Sequence, residues 1–240
     1  MDNSRVVVLR GTVSHFSKER ATGDFLLSDA DRSTAGLTAV AAALAGSGGA
    51  IGLASLAGTK EEADKVAFEL DGKKVTGWLM WSPFKNGDEV EVAAELMRDG
   101  TYRAFAVLKP NDRTIALYPH CSRGRIAHYK NSIKWLMIAF SFFFFGGSCG
   151  VMAIIFFANR DGDWKGFAEL MGGGGLIGFV FYAVIAFNIS RKFMPFVKMA
   201  EGIFQALEWR DVKKVDLPAR SRAAKKEGNK PGLGKLYFKY

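Results

Sequence analysis

The chain has 240 residues, 49% of them hydrophobic, and a net charge of +9. That length and mix exclude two full globular domains and fit one soluble domain joined to a membrane part. The charge is uneven: residues 1–134 hold 18 Lys and Arg against 16 Asp and Glu, whereas residues 190–240 hold 13 against 5.

Residues 1–10 lack the charged and then apolar pattern of a secretory signal peptide, so export by that route is not expected. The β-branched run from residue 5 to residue 16 predicts a first strand with a bulge or bend at Gly11, and residues 25–28 predict a short second one. Residues 66–70 and 75–81 flank Asp71-Gly72, the strongest hairpin signal in the chain. Alternation at Val90, Val92 and Ala94, then residues 102–108 and 115–118, complete six or seven short strands. Such spacing predicts a small N-terminal β-barrel of OB or SH3-like type over residues 1–122. Trp78, Trp81, Phe84, Tyr102 and Phe105 are read as its core rather than as base-stacking residues. Single-strand binding needs a positive groove, and the domain's charges nearly balance, so no nucleic-acid partner is expected.

Residues 35–58 form an uncharged insertion of mostly Ala, Gly, Leu and Ser. Small residues recur at every fourth position through Gly46, Ala50, Ala54 and Gly58, which on a helix stacks them along one side, as in membrane packing interfaces. A conditionally inserting segment, a helical pair against the barrel and a flexible loop all remain open, because each Gly weakens a helix by about 1 kcal/mol relative to Ala.

A basic linker, residues 123–134, precedes two uncharged segments, 135–158 and 170–189. Each is long enough to cross a hydrocarbon core of about 30 Å at roughly 1.5 Å per residue, so residues 135–190 predict a two-helix transmembrane hairpin. Gly146 with Gly150, and Gly174 with Gly178, mark close-packing faces that serve hairpin closure or assembly of copies into a homo-oligomer. Lys134, Trp135, Trp164, Arg191, Lys192 and Trp209 are the expected interface anchors. The flanks are more basic than the loop between the spans. Insertion during synthesis therefore puts both termini on the cytoplasmic side.

After the hairpin, Phe193, Val197, Ala200, Phe204 and Leu207 recur at helical spacing, predicting an interfacial amphipathic helix within residues 191–212. Residues 213–240 read as a basic, mostly disordered tail that seeks anionic lipid or an acidic partner. The fold class is thus mixed: barrel with helical insertion, membrane hairpin, amphipathic helix.

No catalytic, cofactor or metal site is expected. His120, Cys121 and His128 fit no common zinc spacing, and neighbours such as His120 and Cys121 on a strand point to opposite faces. The Gly-rich runs at residues 46–49 and 172–175 sit in apolar context rather than between a strand and a helix.

The peptide from Arg113 to Arg125, the Leu70-Asp71-Gly72 turn, the stretch from Trp81 to Asp88, the Ala/Gly insertion and the hairpin carry a resemblance. Together they resemble small bacterial proteins classed as type VI secretion system effectors, over most of residues 5–190. The resemblance implies a toxin delivered into a neighbouring cell, a cognate immunity protein, and a secretion tube or spike component as partners. Combined with the apolar segments, it leads to the expectation of a non-enzymatic effector that permeabilises or depolarises a target cell's inner membrane. The alternative is a resident inner-membrane protein that presents the barrel as a docking module. In both cases the lipid bilayer is the partner and the bacterial inner membrane the location.

Overall fold

The computed structural model describes residues 6–23, 61–158, 164–226 and 236–240. The strand expected at residues 25–28, the insertion with Gly46, Ala50, Ala54 and Gly58, and residues 159–163 of the loop lie outside the described residues. The chain divides into two units, Met1–Ala127 with Lys192–Tyr240, and His128–Arg191.

In the first unit, β1 (Val7–Gly23) pairs antiparallel with β4 (Glu89–Leu96) through its first half and with β2 (Glu61–Leu70) through its second. The irregularity expected at Gly11 falls instead between Ser14 and Ser17, where the register with β2 shifts and His15 takes a left-handed φ of 49°. Both strands run past their expected ends because charge on their outer faces hides the inner pattern. Lys18 and Arg20 lie over the Trp81 ring, and Arg20 donates to the buried Asp64 at 3.0 Å. Asp71 and Gly72, both at positive φ, turn β2 into β3 (Lys73–Leu79) as the sequence predicts.

Closure comes from β5 (Tyr102–Lys109), antiparallel to β4 and parallel to β3. Gly77 opposes Ala104 there, and a Cβ at Gly77 would stand 2.6 Å from the Ala104 carbonyl oxygen. Only glycine lets the two strands approach so closely. The strand order β1-β2-β3-β5-β4 and back to β1 makes a closed five-strand barrel, in keeping with the OB-like expectation. β6 (Thr114–Leu117) and β7 (Phe238–Lys239) extend the sheet beyond β5.

Two apolar clusters fill this unit. Val13, Val66, Phe68, Leu70, Val75, Leu79, Val92 and Val107 pack inside the barrel. The second cluster lies on the other face of the same strands, where Ala93, Phe105, Leu108, Ile115 and Leu117 meet Phe196, Met199, Ala200, Ile203 and Phe204 of α4 (Met194–Ala206). This corrects the interfacial-helix expectation. The apolar stripe of residues 193–207 has the spacing that either lipid or a sheet would select, and an apolar outer sheet face covers it. The tail expectation is corrected too. The described part of residues 213–240 holds α5 (Leu217–Lys226) and β7, with Val215, Leu217 and Phe238 buried in the same cluster.

In the second unit the expected linker is absent. A single helix, α1 (Arg125–Ala158), runs through residues 125–134 into the first apolar segment, since no Gly or Pro interrupts it before Gly146. After α2 (Trp164–Glu169) comes one π-helical turn over the Gly-rich run Leu170–Gly174, then α3 (Gly175–Lys192). Two helices are long and apolar enough to cross a membrane, Arg125–Ile154 and Lys165–Lys192. In the most apolar window of each, no residue is buried.

Candidate functional site

The hairpin is built from side chains that match every fourth residue of α1 to every fourth residue back along its partner. Phe140 meets Phe179 edge to face at 5.2 Å. A Cβ at Gly175 would stand 2.5 Å from the Phe144 ring, so the lack of a side chain there admits the aromatic. The Ser148 hydroxyl lies 2.6 Å from the Phe144 carbonyl oxygen and 2.8 Å from the Met171 sulfur. Phe143 stacks on Tyr182 at 5.8 Å. Aromatic pairs of this kind contribute about 0.5–1.5 kcal/mol each beyond area burial.

At the other end of α1's apolar segment a polar cluster joins the helices. Ser190, only 4% exposed, has its Oγ 2.9 Å from His128 Nε2, and the Ser132 hydroxyl reaches the same Oγ at 3.3 Å. His128 Nε2 is also 3.1 Å from the Ser190 carbonyl oxygen, so the imidazole has a partner in either protonation state. The sequence pattern gave no sign of this clasp, which joins residues 58 and 62 positions apart.

The outward faces are apolar and uncovered. Phe142 and Ile177 are each 73% exposed and Phe157 is 85% exposed, with Phe145, Ile154, Leu176 and Phe181 also open. Residues 135–158 and 170–189 contain no Asp, Glu, Lys or Arg. A face of this kind meets hydrocarbon without the cost that water would impose on it.

Comparison of the chain with protein-family models, curated proteins and solved structures finds no match.

Of the expected packing residues, Gly178 lies 3.9 Å, by its notional Cβ, from the Phe140 ring, while Gly174 is exposed. Gly146 and Gly150 have open space where side chains would be, as do Gly147, Gly172 and Gly173. The glycine that closes the hairpin is therefore Gly175, one position from the expected pair. Among the anchors, Lys134 and Trp135 are exposed, and Arg191 places its guanidinium 5.6 Å from the Phe187 ring. Lys192 is half-buried, and Trp164 begins α2. Trp209 is a correction: its ring stacks on Phe204 at 5.2 Å and meets the Tyr240 ring, tilted by 32°, at 5.2 Å, with Arg220 over it, so protein takes the surface expected to meet headgroups.

The three candidates for chemistry go separate ways. His120 Nε2 contacts Glu61 Oε2 at 2.8 Å and its ring lies against Phe193 and Phe196. Cys121 is fully enclosed, and burial pushes its thiol well above the usual range, away from nucleophilic thiolate. His128 sits in the clasp. Among the described residues no group of three or more His, Cys, Asp and Glu could hold a metal ion. Of the aromatics read as barrel core, Phe84 packs inside, Phe105 packs under α4, and Trp78 and Trp81 are half-buried.

Proposed function

We propose that the chain is a membrane-inserting protein whose hairpin crosses a bilayer and holds an OB-type barrel unit at one surface. The observation that carries this reading is the pair of long helices with uncharged, uncovered apolar faces, joined to each other by Phe140, Phe144, Gly175 and the Ser190 clasp.

The activity we propose for it is non-enzymatic depolarisation of a target cell's inner membrane, as an effector with a cognate immunity protein. The resemblance of residues 113–125 and the Trp81–Asp88 stretch supports it. So does the open space over Gly146, Gly147 and Gly150, which lets further copies pack against α1. With no Asp, Glu, Lys or Arg in either span, a conducting path needs several copies. The test is production of the chain in the inner membrane of susceptible bacteria while membrane potential and growth are recorded. A fall in potential ahead of growth arrest supports the reading, and unchanged potential with unchanged growth rules it out.

A second reading, a resident membrane protein that displays the barrel for docking, is favoured by the packing of α4, α5 and β7 onto the strands, which makes the first unit a well-packed module by itself. It predicts harmless production and a fixed topology.

A further inference from the structure

The C-terminal segment carries charge that neither the barrel nor the hairpin uses. From residue 212 to residue 226 there are six basic residues, Lys213, Lys214, Arg220, Arg222, Lys225 and Lys226, against one acidic residue, Asp216. Asp216 is engaged by Arg123 at 3.2 Å and accepts the Ala219 N–H at 3.1 Å. Arg220 is held over Trp209, and Lys214 contacts Asp211 at 3.3 Å.

The segment's other face is fixed. Leu217 and Ser221 are buried, and Ser221 Oγ accepts the Lys239 N–H at 2.8 Å. At about 100° per residue, Arg222 and Lys226 then lie about 120° and 160° from the middle of that buried side of α5, and Lys225, about 60° from it, stands at the edge between the two. All three are exposed, as are Lys213 and Lys214.

The position of the turn Val212–Lys214 adds a second, independent observation. It packs on the backbone of Gly124, where any Cβ would collide with the Val212 carbonyl oxygen. The Gly124 N–H donates to the Val215 carbonyl at 2.9 Å, and the Leu217 N–H donates to the Ser122 carbonyl at 3.2 Å. The basic turn is thereby fastened to the residue that immediately precedes α1. From Gly124 to the end of the charged part of α1 at Lys134 is ten residues, roughly 15 Å of helix.

We propose that the turn Val212–Lys214 and the exposed face of α5 form a docking surface for anionic phospholipid headgroups, so the module is held to the leaflet by charge as well as by its hairpin. This rests on the reading that the hairpin crosses a bilayer. Each near-surface Lys or Arg contributes about fivefold to partition onto an anionic leaflet, and the benefit disappears in high salt.

The test uses the full chain reconstituted in phosphatidylcholine discs and in discs in which a third of the lipid is phosphatidylglycerol. Lysine acylation by a water-soluble reagent is read residue by residue. Lys213, Lys214, Lys225 and Lys226 should react at least about fivefold more slowly in the anionic discs at low salt, with the difference abolished in molar salt. Lys73 and Lys74 on the β2–β3 hairpin serve as the internal reference. The variant with Arg222→Gln, Lys225→Gln and Lys226→Gln, whose residues are all exposed, should lose the remaining protection of Lys213 and Lys214. Equal labelling in both discs, in chain that has incorporated normally, overturns the proposal and leaves the membrane reading standing. Protection by polyglutamate but not by anionic lipid overturns it in favour of an acidic protein partner. Failure to incorporate into either disc overturns both.

Discussion

Replacing Phe204 by Ala separates the two places where the apolar stripe of α4 could lie. Phe204 is fully buried, stacked on Trp209 with ring planes 6° apart, and part of the cluster that covers the outer face of β4, β5 and β6. Removing a core Phe costs about 3–5 kcal/mol through lost transfer energy and the cavity left behind. That is a large part of a domain's total of about 5–15 kcal/mol. For a unit of this size each kcal/mol moves the melting temperature by about 2–4 °C, so Phe204→Ala should lower it by roughly 10 °C. The assay is thermal unfolding of the full chain in detergent micelles, followed by Trp fluorescence, with Phe142→Ala as the reference substitution. Phe142 is 73% exposed in the hairpin, and its loss should leave the transition of the barrel unit in place. A Phe204→Ala chain that melts with the parent would refute the packing of α4 onto the strands and restore the interfacial helix.

In a Cys149→Ser background, the Ser148→Cys and Met171→Cys pair should be joined within one chain by a short bis-methanethiosulfonate linker, since Ser148 Oγ and Met171 Sδ lie 2.8 Å apart; linked and unlinked chains differ in gel mobility. Failure of that link to form, while an adjacent register such as Ser148→Cys with Gly172→Cys does cross-link, contradicts the hairpin's alignment. Lys109 is hydrogen-bonded to Asp88 at 2.6 Å, and that bond raises its pKa above the ordinary lysine value. Its stabilising contribution is therefore present below the ordinary lysine range and lost as pH climbs through the raised value, so denaturant midpoints should fall on the alkaline side. Lys109→Met should flatten that fall and cost about 1–3 kcal/mol at neutral pH, because Asp88 keeps its burial without its cation. Cys121 should resist maleimide until the chain is denatured, whereas Cys149, exposed on α1, should react in a water-accessible, lipid-free state.

How much of this was legible in the sequence follows from which faces each element buries. The Asp71-Gly72 hairpin and the alternation at Val90 and Val92 were readable because one face of each strand meets solvent. The covering by α4 was also written in the chain, but in two separate places. Residues 104–108 and 114–117 are buried without a break, so these strands read as continuous runs rather than alternating ones, the mark of a sheet covered on both sides. Residues 193–207 supply the matching stripe, and periodicity alone does not name what it packs against. The two apolar helices were legible by length and by the absence of charge. Their register was not, since a Phe-rich run offers many equivalent pairings until Gly175 and Ser190 select one. The reach of β1 and β2 was hidden by Lys18 and Arg20, which lie over the Trp81 ring, and by Glu62, which pairs with Arg20.

The central claim is that lipid is the solvent of the hairpin's outer face. The direct measurement is electron paramagnetic resonance of a nitroxide on Phe145→Cys, with Cys149→Ser, in reconstituted bilayers, compared with the same label on Lys130→Cys. The account predicts that molecular oxygen relaxes the label at position 145 and a water-soluble nickel chelate does not, with the reverse at position 130. Ready relaxation of position 145 by the chelate, in a chain that stays monodisperse in buffer without detergent, would contradict it.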